Sequence, residues 1–80
     1  MNEFKDIIND LESIENDLSI PKNARLKIRK TIEILSTNEK NINLTIDRSL
    51  EELNEIADDA NIPQYTKMQI WNIVSQLESR

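Results

Sequence analysis

Leu11 to Leu35, LESIENDLSIPKNARLKIRKTIEIL, aligns without a gap on Leu53 to Leu77, LNEIADDANIPQYTKMQIWNIVSQL, when the chain is shifted against itself by 42 residues. Identical pairs are Leu11 with Leu53, Ile14 with Ile56, Asp17 with Asp59, Ile20 with Ile62, Pro21 with Pro63, Ile28 with Ile70 and Leu35 with Leu77. Arg25 with Lys67, Leu26 with Met68 and Ile32 with Val74 are conservative pairs. The matches fall on apolar and turn positions, so the chain reads as an internal repeat over residues 3–37 and 45–79 within one domain, 1–80. Convergent helical patterning is the competing explanation.

Each copy reads as helix, proline turn, helix. Phe4, Ile7, Ile8, Leu11 and Ile14 recur at helical spacing on one face, with Asn2, Lys5, Glu12 and Asn16 opposite. Asp17 to Pro21 interrupts the pattern, with Ser19 expected as N-cap and Pro21 in the first turn, where a missing backbone donor costs nothing. Ala24, Ile28, Ile32 and Leu35 form the next stripe. In the second copy Ile46, Leu50, Leu53, Ile56, Ala57 and Ala60 line one helix, Asn61 takes the capping role before Pro63, and Ile70, Ile73, Val74 and Leu77 line the last. Thr37 to Asn43 is a polar link. No stretch alternates over strand length. The expected fold is all-α, an antiparallel four-helix bundle of two hairpins with helices at about 3–17, 22–37, 43–59 and 63–78.

Composition removes most chemistry. The 80 residues include no Gly, Cys or His, which excludes disulfides, thiolate nucleophiles, histidine bases, glycine-rich phosphate loops and the usual zinc sites. No catalytic residue and no cofactor are assigned, and the chain is read as non-enzymatic. The longest apolar run is two residues, as at Ile7 and Ile8, so no membrane segment or signal region is expected and the protein is placed in the cytoplasm. At this length stability is marginal unless packing is regular or subunits associate, which makes a homodimer a partner to consider.

Two resemblances bear on the architecture. A period of 42, with an acid before a proline turn and a base after it, as in Asp17, Pro21, Arg25 and Asp59, Pro63, Lys67, resembles a HEAT-type helical hairpin. Two such hairpins fall short of a free-standing solenoid and are expected to close on each other or to dimerise. The segment Ile70-Trp71-Asn72-Ile73-Val74-Ser75-Gln76-Leu77-Glu78, preceded by Asn61-Ile62-Pro63, together with Ile20-Pro21-Lys22-Asn23-Ala24-Arg25, resembles a small archaeal group, uncharacterised protein family 147. That resemblance implies a cytoplasmic four-helix protein with no assigned activity, and it carries over no functional residue.

Charge alternates along the chain. Residues 1–17 sum to −5, 22–40 to +4, 41–59 to −5 and 60–80 to +1, giving the net −5. Five bases, Lys22, Arg25, Lys27, Arg29 and Lys30, lie within nine residues and form the candidate nucleic-acid contact. Lys22, Arg25 and Arg29 share one side at spacings of three and four. The acidic total and the lack of aromatics nearby disfavour nucleic acid as a partner and favour solvated or internally paired charge. Carboxylates at Asp6 and Asp10, Glu51 and Glu55, and Glu52, Glu55 and Asp59 offer oxygen ligands for magnesium or calcium, with a solvated acidic face as the favoured alternative.

The copies differ most where Asn23, Leu26 and Arg29 are replaced by Tyr65, Met68 and Trp71. These three fan out on the side of the last helix away from its main stripe, so that helix is apolar on two faces. Tyr65, Met68 and Trp71, with Ile73 at the rim, are the candidate interface, because Trp, Tyr and Met are enriched where proteins meet. For Trp71 taken alone, burial in the core is the commoner fate of a single tryptophan in a chain of this size and stands ahead of the interface reading. The function expected is a small interaction module that self-associates or binds a protein partner.

Overall fold

The computed structural model describes residues 3–37 and 40–80. Expectations for Asn2 and for the middle of the Thr37 to Asn43 link lie outside the described residues. Four helices follow in order, α1 (Lys5–Glu15), α2 (Lys22–Ser36), α3 (Ile42–Ala57) and α4 (Gln64–Glu78), with no strand among the described residues. The apolar periodicity accounts for them. Phe4, Ile7, Leu11 and Ile14, then Ala24, Ile28, Ile32 and Leu35, are buried, and Leu53, Ile56, Ala57, Ile70, Ile73, Val74 and Leu77 meet them in one core. Ala60, expected in the third stripe, lies beyond the end of α3 and is exposed.

Each helix packs against its neighbours around a square. The α2–α3 and α1–α2 contacts are the most extensive, α3–α4 is smaller, and α1–α4 is the thinnest; among the described residues the backbones of the diagonal pairs stay apart. Contacts at both ends of the α1–α4 seam fix their antiparallel sense. The Tyr65 hydroxyl, at the start of α4, donates to Asp17 just past α1 at 2.7 Å, and the Arg80 guanidinium lies 5.3 Å from the centre of the Phe4 ring at the other end. The Cα radius of gyration, 11.8 Å, is close to the roughly 11.6 Å expected of a packed chain of this length.

The turn within each hairpin differs from the expected cap. Neither Ser19 nor Asn61 is an N-cap: Pro21 and Pro63 hold that position, with φ/ψ of −55/146 and −57/149 and no side-chain acceptor. The acceptor sits upstream instead. Asp17 Oδ1 receives the Ser19 amide at 2.9 Å and the Ser19 hydroxyl at 2.7 Å, and Asp59 Oδ1 receives the Asn61 amide at 2.9 Å. These are turns in which a carboxylate bonds the backbone two residues on. Proline at the cap keeps its φ, which its ring fixes, and its carbonyl opens the helix by accepting from Arg25 at 3.0 Å or Lys67 at 3.1 Å. α1 and α3 end earlier than expected, at Glu15 and Ala57, because the next residues, Asn16 (φ/ψ −79/−6) and Asp58 (−80/−9), lead into these turns.

Positions 42 apart share their surroundings. Phe4 and Ile46, Ile7 and Ser49, Ala24 and Thr66, and Thr31 and Ile73 are buried in pairs even where the residue type changes. The turn amides bond alike too: Asp17 to the Ile14 carbonyl and Asp59 to the Ile56 carbonyl, both at 3.1 Å.

Candidate functional site

α2 carries the five candidate basic residues on two sides. Those turned toward the acidic neighbours are paired: Lys27 with Glu55 at 3.1 Å, Lys30 with Glu52 at 3.0 Å, and Arg29 with both carboxylate oxygens of Glu15. The bidentate geometry suits the planar guanidinium. The Arg29 guanidinium is held above its ordinary range, first by its bond to Glu15, with the charges of Glu15, Glu12 and Glu33 adding. Arg25 donates through Nε to the Ile20 carbonyl at 3.1 Å, bracing the hairpin turn. Lys22, Arg25 and Arg29 do line one shallow depression with Leu26, as their spacing predicts, but Glu15 shares it. The basic helix is thus largely matched from within, since its Glu partners come from α1 and α3 on either side.

Some of the candidate carboxylates are engaged in the same way, while Asp6, Asp10 and Glu51 are not among them. Glu52 and Glu55 serve as partners for α2, Asp59 and Asp17 serve the turns, and no group of three or more acidic side chains among the described residues is placed to hold a metal ion.

α4 is different. Tyr65, Met68 and Trp71 are 54%, 64% and 49% exposed, so Trp71 does not fill the core. Ile73 corrects the expected rim: at 2% exposed it packs inward with Ile70 and Val74, because it falls on the stripe facing the other helices. Met68 and Trp71 border a shallow depression with Gln69, Asn72 and Ser75. Gln69 and Asn72 also face the α1–α4 seam, where a groove runs between Asp10, Ser13 and Ile14 on one side and α4 on the other. The thin α1–α4 contact leaves that groove open. Tyr65 is tethered at one end: its hydroxyl and that of Ser19 both donate to Asp17, holding this carboxyl below its ordinary range, with the Ser19 hydroxyl the larger cause. Leu18, next to Asp17, is 82% exposed; its position in a turn outside the helical stripes gave no signal for it. α2 carries a counterpart in Leu26, 58% exposed, but there its neighbours are charged.

The fold and this surface define a class: an all-helical protein in which one helix serves the core with one face and turns aromatic and methionine side chains outward with another. No helix is long and apolar enough to cross a membrane among the described residues. The chain belongs to the uncharacterised protein family UPF0147, whose family model matches residues 1–79. Among its relatives are the UPF0147 protein of Methanosarcina mazei, 38% identical over 69 residues that cover 86% of this chain and 74% of the relative, and that of Methanocaldococcus jannaschii, 39% identical over 69 residues covering 85% and 73%. The UPF0147 protein of Thermoplasma acidophilum is 28% identical over 78 residues, 98% of this chain and 89% of the relative. No solved structure matches the chain.

Proposed function

We propose that the protein is a small non-enzymatic cytoplasmic interaction module whose working surface is the outer face of α4. The observation that carries this reading is Trp71, the chain's one tryptophan, standing 49% exposed beside an exposed Met68 in a bundle whose aliphatic stripes are otherwise packed inward. Such residues lower the free energy when a partner desolvates them and contribute little to the monomer. The missing His, Cys and Gly support a role without catalysis. Both hairpins, 3–37 and 45–79, are read as copies of one unit within a single domain, supported by the shared burial and turn bonding at positions 42 apart. On that reading the second copy has traded Asn23 and Arg29 for Tyr65 and Trp71 and so gained the surface.

Self-association is one use of the face. Sedimentation velocity across a concentration series tests it with wild type and Trp71→Ala: a concentration-dependent dimer that the variant weakens supports the reading. A monomer in both, with only a lower melting temperature for the variant, removes self-association. A second reading, contact with nucleic acid through α2, rests on Lys22, Arg25 and Arg29 lining one depression. A low-salt gel shift with DNA and RNA tests it, since a backbone-driven complex is salt-sensitive and should be lost in Arg25→Glu with Arg29→Glu. Absence of a shift for wild type ends it.

A further inference from the structure

Charge is distributed unevenly around α4. Basic α2 lies on the diagonal from it and takes the acids that face it, Glu15 from α1 and Glu52 and Glu55 from α3. The negative excess is left where α2 does not reach. On α1 that means Asp6 and Asp10, one helical turn apart, in a row that runs on through Ser13 to Asp17. Asp10 lines the α1–α4 groove opposite Gln69 and Asn72, and no lysine or arginine lines either that groove or the adjoining depression at Met68 and Trp71.

We propose, building on the reading of α4 as a protein-binding face, that its occupant is a cationic amphipathic helix of another protein, whose apolar side covers Met68 and Trp71 and whose lysines or arginines meet Asp6 and Asp10. A groove with an apolar flank and an acidic wall suits a helix that carries both kinds of side chain, and the potential draws it in from a distance. A second copy of this chain is a poorer fit. A two-fold contact buries the same surface of both copies, and neither the groove nor the depression is lined by a base that could meet the other copy's Asp10, while three of the five bases on the copy's α2 are already paired.

Trp71 emission reports occupancy directly, as no other tryptophan is present. The probe is a synthetic Lys/Leu peptide of about five helical turns, compared with a Glu/Leu peptide of the same pattern and a Lys/Ser peptide without the apolar stripe. The expected result is a saturable blue shift with the Lys/Leu peptide alone, weakening as salt rises. Asp10→Lys should weaken it by about ten-fold or more, and Asp10→Asn by less. Met68→Ala should weaken it too. Glu33→Lys, the same charge change on α2, should leave it within about two-fold. Equal binding of the Glu/Leu peptide, or an equal loss in Glu33→Lys and Asp10→Lys, overturns the proposal. Shielding of Trp71 by self-association that no peptide perturbs removes the cationic helix and keeps the α4 face as a protein contact. Neither peptide binding nor self-association removes both.

Discussion

The hydroxyls of Ser49 and Thr66 are fully buried and have no hydrogen-bond partner among the described residues. Thr66 stands where the first hairpin has Ala24, so the site accepts an apolar group, and a desolvated hydroxyl left unpaired is a net cost. Thr66→Val keeps the shape and removes the polar atom; it should stabilise by about 1 kcal/mol, read as a higher urea midpoint at unchanged slope, and a lower midpoint would contradict the assignment. Asp17 is a different case, a carboxylate held charged by the Ser19 and Tyr65 hydroxyls. Its folded pKa lies below the ordinary carboxylate value, so its contribution is present above that ordinary value and is lost as pH falls through the lower folded one. Tyr65→Phe removes the second of the two hydroxyls. In a carboxyl NMR titration Asp17 should then move up toward its ordinary value, and the stability gap between variant and wild type should narrow as pH falls from neutral through and below the ordinary carboxylate range. A gap unchanged across that range would mean the hydroxyl acts on something else. None of this was legible in the sequence, because periodicity says which face a residue occupies and nothing of what its polar atom meets.

At the scale of elements the spacing was far more informative. The four stripes placed the four helices to within two residues at each end, since burying an aliphatic row is the largest favourable term for such a helix. Leu53→Ala, at a fully buried position, should cost about 2–5 kcal/mol in urea unfolding, whereas Leu18→Ala, at an exposed one, should stay within about 0.5 kcal/mol. Comparable losses would contradict the core described above. The caps were misread because Ser19 and Asn61 have the right side chains in nearly the right place. With proline at the cap, each helix is capped two residues further on, at Pro21 and Pro63, and the Asp upstream has already claimed the turn amide. The second face of α4 was legible as a departure from the repeat. Its fate was not, because an apolar residue off the main stripe is equally compatible with a helix buried all round; Trp71 is exposed here because a square of four helices leaves each with an outward side. Ile73 belongs to the inward stripe of the same helix and not to the Trp71 face, because two residues along a helix turn a side chain by about 200°.

Across the whole molecule the square is unequal. The α2–α3 and α1–α2 contacts dominate and the α1–α4 seam is thin, so amide exchange should be slowest in the middle of α2 and α3 and fastest in α4, which takes part only in the two smaller contacts. Uniform protection in all four helices would show that the seam is as firm as the rest. The alternation of helix charge foretold that α2 would find partners, and Lys27, Arg29 and Lys30 have them; which acids would be left over depends on the diagonal, which no one-dimensional pattern contains. One feature of the turns reaches beyond the folded state. Among the described residues no backbone φ is positive and no peptide bond is cis, so both hairpins reverse direction in conformations open to any ordinary residue. A chain built this way dispenses with glycine, and its two prolines stand where the native backbone already has their geometry. The disordered ensemble is correspondingly narrower than that of a glycine-hinged bundle of equal length, and less conformational entropy is surrendered on folding. For 80 residues with a modest core, restraint in the denatured chain is a source of stability that no contact in the native one displays.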